Sequence, residues 1–140
     1  MGDAILFTDE PSPRDVERLE DEINRFNCAT TDFHDGRWLA AFLRDGEGRL
    51  RAGLAGHTWG GCCEIRFLWV REAERRSGLG SALLRGAERE ARARGCDQVV
   101  LSTHSFQAPD FYRRHGYTEV GRADGYPRGH AQIFLRKRLV

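Results

Sequence analysis

The chain has 140 residues, of which 40% are apolar, 22 are basic and 21 are acidic, for a formal net charge of +1. This length suits one domain over residues 1–140 with a core of its own, and the balanced charge argues against a nucleic-acid module, whose affinity rests on a basic excess. No run approaches the ~18 apolar residues of a membrane span, and no basic leader precedes an apolar stretch at the N-terminus, so the reading is a cytoplasmic protein with no membrane partner.

In chain order, Ile5-Leu6-Phe7 predicts a short first strand. Ser12-Pro13 predicts a helix start, with Ser12 as cap and Pro13 in the first helical position. Val16, Leu19, Ile23 and Phe26 then recur at helical spacing as one apolar stripe. Cys28 to Gly36 reads as a loop or a short second helix. Arg37–Arg44, Leu50–Trp59 and Cys62–Val70 read as a three-strand meander around the turns Asp45-Gly46-Glu47-Gly48 and Gly60-Gly61. Alternation in the third strand puts Ile65, Phe67 and Trp69 on one face and Glu64 on the other.

Leu79 to Arg94 predicts a long helix with Leu79, Leu83, Ala87 and Ala91 on one side. Glu88–Arg92 and Glu90–Arg94 are spaced as surface ion pairs, and Gly95 ends the helix. Gln98–Ser102 reads as an apolar, β-branched strand, Pro109–His115 as a short helix, and Tyr117–Arg122 and Gln132–Arg138 as the last two strands. The order β-α-β-β-β-α-β-α-β-β is an α/β (α+β) pattern, a mixed sheet with helices against it.

Two features of composition stand apart. Cys28, Cys62, Cys63 and Cys96 include no Cys-x-x-Cys pair, so no metal centre is expected and the thiols read as reduced. Of the 22 basic residues, 21 are Arg and only Lys137 is Lys. Arginine suits bidentate phosphate and carboxylate contacts, and a coding preference produces the same bias.

The chemistry centres on Arg75-Arg76-Ser77-Gly78-Leu79-Gly80-Ser81, between a strand and a helix. Unpaired N–H groups at a helix start, reached through a glycine-rich turn, make an anion site, and Arg75 and Arg76 add charge. A P-loop would need a Lys that is absent. A dinucleotide fingerprint would need glycine at position 83, which is Leu.

The surviving pattern, Arg75-x-x-Gly78-x-Gly80, resembles the pyrophosphate signature of the GCN5-related N-acetyltransferases, the GNAT superfamily. A second segment, Ser105-Phe106-Gln107-Ala108-Pro109-Asp110-Phe111-Tyr112-Arg113-Arg114-His115-Gly116-Tyr117, is similar to that family's Asn-x-x-Ala-x-x-Phe-Tyr-x-x-x-Gly-Phe segment. Ser105 departs from it, standing where many members have Asn. The close match runs from Glu64 to Tyr117.

The resemblance implies a GNAT-like single domain: a central mixed sheet of about six to seven strands, helices on both faces, and two splayed parallel strands, Cys62–Val70 and Gln98–Thr103. Acetyl-CoA would lie in the splay as co-substrate. Backbone groups of Leu68, Trp69 and Val70 would hold its pantetheine arm and thioester, with Ser105 a further contact. Arg75, Arg76, Ser77, Gly78, Leu79, Gly80 and Ser81 would hold the pyrophosphate. The acetyl group would pass directly to an amine of a small molecule or peptide, with Tyr112 as general acid to the thiolate and Glu64 as general base. His57 and His104 are alternative bases, and a surface pair of Glu64 with Arg66 is the competing reading of that carboxylate. The acceptor site would involve Cys28–Asp35, including Thr30, Asp32, Phe33, His34 and Asp35, and Ala123–His130, including Tyr126-Pro127-Arg128-Gly129-His130. A homodimer is compatible with the resemblance. A non-catalytic acyl-CoA-binding regulator of the same fold is the alternative function.

Overall fold

A computed structural model describes residues 2–139 as two compact units, one up to His34 and one from Asp35 onward. In the first, residues 2–12 form neither helix nor strand, so the strand expected at Ile5–Phe7 is absent. Three apolar residues are too few to hold a ladder, and the chain bends directly after them, where Thr8 Oγ1 accepts the Glu10 N–H at 3.0 Å. Helix α1 (Pro13–Thr31) starts at Ser12 and Pro13 as expected. The Ser12 carbonyl, rather than its hydroxyl, accepts the first bonds, from the N–H of Asp15 and of Val16. The helix runs through Cys28–Thr31 and stops where Asp32 turns left-handed (φ 61°) and its N–H returns to the Cys28 carbonyl.

The second unit is a mixed sheet of six strands. These are β1 (Arg37–Arg44), β2 (Leu50–Trp59), β3 (Cys62–Val70), β4 (Gln98–His104), β5 (Thr118–Asp124) and β6 (Ala131–Arg138). Their spatial order is β1-β2-β3-β4-β6-β5, and only the β3–β4 pair is parallel. A single turn of 3-10 helix (Glu72–Glu74) and α2 (Leu79–Ala93) link β3 to β4, and α3 (Pro109–Arg114) follows β4. Helix α2 packs against β1, β2 and β3.

The core lies on one face of this sheet. Leu54 of β2, Cys63 and Ile65 of β3, Val99 and Leu101 of β4, and Ile133 and Leu135 of β6 are buried with Leu84, Ala87 and Ala91 of α2. The buried side of α2 therefore centres on Leu84, with Leu83 packing at its margin. Glu88 lies on that buried side, 4% exposed, and is no surface partner of Arg92. Glu90 and Arg94 do pair, at 3.0 Å.

A β-bulge corrects the face expected for β3. Ala55 pairs with Phe67 but Gly56 pairs with Ile65, which leaves Arg66 as the extra residue. Gly56 permits this: a Cβ there would sit 2.0 Å from the Glu64 carbonyl oxygen. Residues directly opposed across strands share a face. Ile65 is therefore 4% exposed on the core side, whereas Phe67, 69% exposed, shares the other face with Trp69 and Glu64.

The bulge also sits where the sheet opens. Strands β3 and β4 pair only from Cys62↔Gln98 to Ile65↔Leu101. Beyond that point β3 continues to Val70 still paired with β2, and β4 continues to His104 still paired with β6. A bulge bends its strand and increases the twist, so β3 leaves β4 at Arg66. The two splayed parallel strands implied by the sequence are present.

Candidate functional site

The parted strands enclose a cavity of about 550 Å³. One wall is β3 from Ile65 to Val70. The other is the end of β4 with Phe106, Gln107 and Ala108, and Tyr112 and Arg75 complete it. Past Ile65, the β3 edge that faces this cavity has no β4 partner. Its backbone N–H and C=O groups need a substitute hydrogen-bonding partner.

The cavity leads to the arginine–glycine turn. Arg75 Nε donates to the Val70 carbonyl at 2.9 Å, which fixes the guanidinium at the strand end. Arg76 (φ 65°) and Gly78 (φ 90°) both take left-handed conformations and reverse the chain into α2. No side chain caps this helix, and the first N–H groups of any helix have no intrahelical acceptor. Together with the helix dipole they favour an anion at Leu79, Gly80 and Ser81. A Cβ at Gly78 would meet nothing within 4 Å, so the approach to these amides is open.

The turn is braced from below. Glu74 receives Arg51 of β2 through Nε at 2.9 Å and pairs with Arg71 Nε at 2.8 Å. Arg71 also reaches Asp45 Oδ2 at 3.3 Å, in the β1–β2 hairpin turn. The Arg51 hydrogen bond holds the Glu74 carboxyl below the usual carboxylate range. The Arg49 and Glu47 backbone N–H groups do the same for Asp45. Ser77 Oγ donates to the Glu74 carbonyl, so this hydroxyl is spent within the turn. Ser81 Oγ likewise bonds His115 Nε2 at 2.9 Å, which ties the start of α2 to the end of α3.

Tyr112 lies on α3, and burial pushes its phenol up to about 12. Glu64 is half exposed, with Arg66 Nε 3.6 Å from its carboxylate, so the pairing named as the competing reading of this carboxylate is present. Glu64 lines a second cavity, of about 450 Å³, with Val100, Val120 and Phe134. Strand register places Glu64, Val100 and Phe134 on the face opposite Ile65 and Leu101. Both cavities touch Ile65, Arg66, Leu101 and Ser102, so they meet at the seam where the strands part.

Other expected residues have different surroundings. Ser105 does not line the cleft. Its Oγ accepts the Ala131 N–H at 3.0 Å and its own N–H donates to the Ala131 carbonyl, so it joins the end of β4 to β6. Gln107 faces the cleft instead. Its Oε1 accepts the His104 N–H at 2.8 Å, and its amide nitrogen remains as a donor. Sequence spacing missed Gln107 because position 105, not 107, is the polar one in the pattern. Asp35 Oδ1 accepts the Gly60 N–H at 3.1 Å and pins the β2–β3 turn. His57 is directly opposite Glu64 across β2 and β3. His104 stacks on Phe106 with ring centroids 5.4 Å apart, and Tyr126 and His130 of the β5–β6 loop pack edge-on to the same pair. Among the described residues no cluster of three His, Cys, Asp or Glu is arranged to hold a metal ion.

Comparison with known proteins decides what this architecture belongs to. Residues 4–117 match the acetyltransferase (GNAT) family. The chain belongs to the GNAT family. It is 33% identical over 135 residues to acetyltransferase Atu2258 of Agrobacterium fabrum, covering 96% of this chain and 98% of that one. It is 40% identical over 93 residues to the blasticidin-S acetyltransferase of Streptomyces morookaense, covering 66% and 68% of the two chains. A crystal structure of an acetyltransferase from Bacillus cereus superposes with a TM-score of 0.78 at 32% identity, covering 95% and 97%. An aminoglycoside 6'-N-acetyltransferase complexed with coenzyme A shares the fold, with a TM-score of 0.64 at 16% identity over 94% and 96% of the chains. The protein is thus an acyltransferase, and the family match ends at Tyr117, the residue that closes the second motif.

Proposed function

We propose that this GNAT acetyltransferase binds acetyl-CoA in the cleft between β3 and β4 and passes the acetyl group directly to an amine that enters from the opposite face of the sheet. The observation that carries this reading is the parting of β3 from β4 after Ile65 and Leu101. It frees a strand edge for the amides of the pantetheine arm, at Leu68, Trp69 and Val70. It also joins the cleft to the second cavity at one seam. The diphosphate would rest on the amides of Gly78 to Ser81, with Arg75 and Arg76 alongside.

The residues divide the chemistry. The acceptor enters as an ammonium of pKa ~10 and must lose a proton before attack. Glu64, on the wall of the second cavity and open to water, takes that proton. The amine nitrogen attacks the thioester carbonyl, and β3 backbone N–H groups past Arg66 stabilise the resulting oxyanion. The C–S bond then breaks and the sulfur leaves as a thiolate. A phenol held at about 12 would protonate a thiolate of pKa ~8.5 only uphill, by ~5 kcal/mol. Tyr112 therefore donates a hydrogen bond as charge builds on sulfur and, as the C–S bond breaks, passes its proton to the thiolate. The second proton of the former ammonium, shed as the amide forms, returns to the tyrosinate, giving amide, CoA thiol and neutral Tyr112.

The four free cysteines suit a reducing cytoplasm, and light scattering on the purified chain would test whether it forms a homodimer. The reading is tested by acetyl-CoA titration followed by a thiol-release screen over aminoglycosides, polyamines, amino acids, peptides and blasticidin S. Saturable binding and release with at least one amine class are expected. No saturable acetyl-CoA binding, or no release with any amine, would refute it.

A further inference from the structure

The one lysine in a chain with 21 arginines stands behind the cleft. Lys137 of β6 donates from Nζ to Glu88 Oε1 at 2.8 Å. Glu88 Oε2 accepts the Tyr117 hydroxyl, also at 2.8 Å, and the ammonium lies 5.7 Å from the centre of the Tyr117 ring. The Tyr117 ring meets the Tyr112 ring edge-on, with centroids 5.9 Å apart, and its N–H donates to the Tyr112 carbonyl at 3.1 Å. A continuous line therefore runs from Lys137 through Glu88 and Tyr117 to the phenol at the cleft.

Stability alone gives no reason for this arrangement, since a buried ion pair is often no better than apolar residues of the same volume. Geometry gives one. Glu88 belongs to α2, the helix that begins at the arginine–glycine turn, and Tyr117 follows α3, which carries Tyr112. The carboxylate thus ties the coenzyme helix to the residue that braces the acid. The lysine stem runs close to the α3–β5 turn, where a Cβ at Gly116 would lie 3.5 Å from Lys137 Cε. A compact ammonium fits between carboxylate and ring, whereas the wide planar fork of arginine needs more room.

We propose that Glu88 and Lys137 are positioning residues for Tyr112: they lock Tyr117, and Tyr117 holds the Tyr112 hydroxyl in the cleft. The inference rests on the acid role given to Tyr112 above. Its neutral balance matters as much as its bonds, because an unpaired Glu88 carboxylate would pull the Tyr117 hydroxyl and ring toward any remaining donor.

The chain has three tyrosines, at 112, 117 and 126, so carbon-13 labelling at tyrosine Cζ gives three assignable NMR signals. Coenzyme A is the probe. In the wild type it displaces the Tyr112 signal. In Lys137→Met that displacement falls at least about twofold or the signal splits, while CoA affinity changes less than about threefold. In Glu88→Gln/Lys137→Met, neutral at both positions and still accepting the Tyr117 hydroxyl, the displacement returns, a coupling characteristic of residues acting as a unit. Should Lys137→Met not fold, Tyr117→Phe, which keeps the ring, carries the test with the same expected loss. With an acceptor in hand, kcat falls about tenfold in Lys137→Met with little change in KM for acetyl-CoA. A wild-type displacement of Tyr112 in folded Lys137→Met or Tyr117→Phe would overturn the inference. A wild-type Tyr112 signal indifferent to CoA would instead remove the acid assignment, and the inference with it.

Discussion

Tyr112 and Arg75 both line the cleft, and on the proposed mechanism their substitutions should separate chemistry from binding. Tyr112→Phe removes only the hydroxyl from a ring that is 8% exposed. It should lower kcat about 10²-fold and leave coenzyme affinity nearly unchanged, by steady-state kinetics and calorimetry. Arg75→Ala should do the reverse, weakening CoA binding by ~1–3 kcal/mol through loss of a charge-assisted contact. An unchanged calorimetric affinity for Arg75→Ala would remove the guanidinium from the diphosphate site. Both residues are legible in the sequence because each belongs to a motif with fixed local spacing. Glu88 and Lys137 are not. Glu88 has a perfectly good helical partner in Arg92, and only the fold reveals that its carboxylate points inward to residues 29 and 49 positions away. Gln107 escaped because the pattern puts its polar position at 105; what marks 107 is the side-chain oxygen it offers to the His104 N–H.

Strand β3 and helix α2 carry the same distinction at a larger size. The boundaries of β1, β2 and β3 matched the sequence. The bulge at Arg66 was invisible to period-two alternation, since an inserted residue leaves no mark in composition. Its one trace is Gly56, the place in β2 where the neighbouring backbone comes too close for a side chain. Gly56→Ala should therefore cost ~1–3 kcal/mol or more by overpacking, read as a lower melting temperature. It should also impair coenzyme binding, because the bulge sets where β3 leaves β4. Melting like the wild type would mean that the bulge is not pinned there. The missing first strand has the opposite lesson: Ile5–Phe7 had strand propensity but no ladder to join, and propensity without a partner does not make a strand.

The fold keeps three buried groups neutral at alkaline pH values where water would ionise them. Burial pushes the Cys63 thiol and the Tyr112 phenol each up to about 12, and raises Tyr117 further with the help of the Glu88 carboxylate beside it. In the unfolded chain these groups ionise near pH ~8.5 and ~10. Their stabilisation is thus complete below about pH 8.5 and is lost as pH rises toward the folded values, because the unfolded state releases its protons first. The melting temperature should hold steady to about pH 8.5 and fall steeply above pH 10, and Cys63→Ala should delay the onset. A melting temperature flat to pH 11 would contradict the burial of these groups.

The proposed diphosphate site is tested most directly by following backbone amide signals during titration with coenzyme A. The amides of Gly78, Leu79, Gly80 and Ser81, with those of Leu68 to Val70, should move together and saturate. Folded Gly78→Val, whose branched side chain fills the open approach to the helix start, should lose that response. Amides that stay still at the turn while others move, or a Gly78→Val protein that binds as the wild type does, would contradict the placement of the coenzyme between the parted strands.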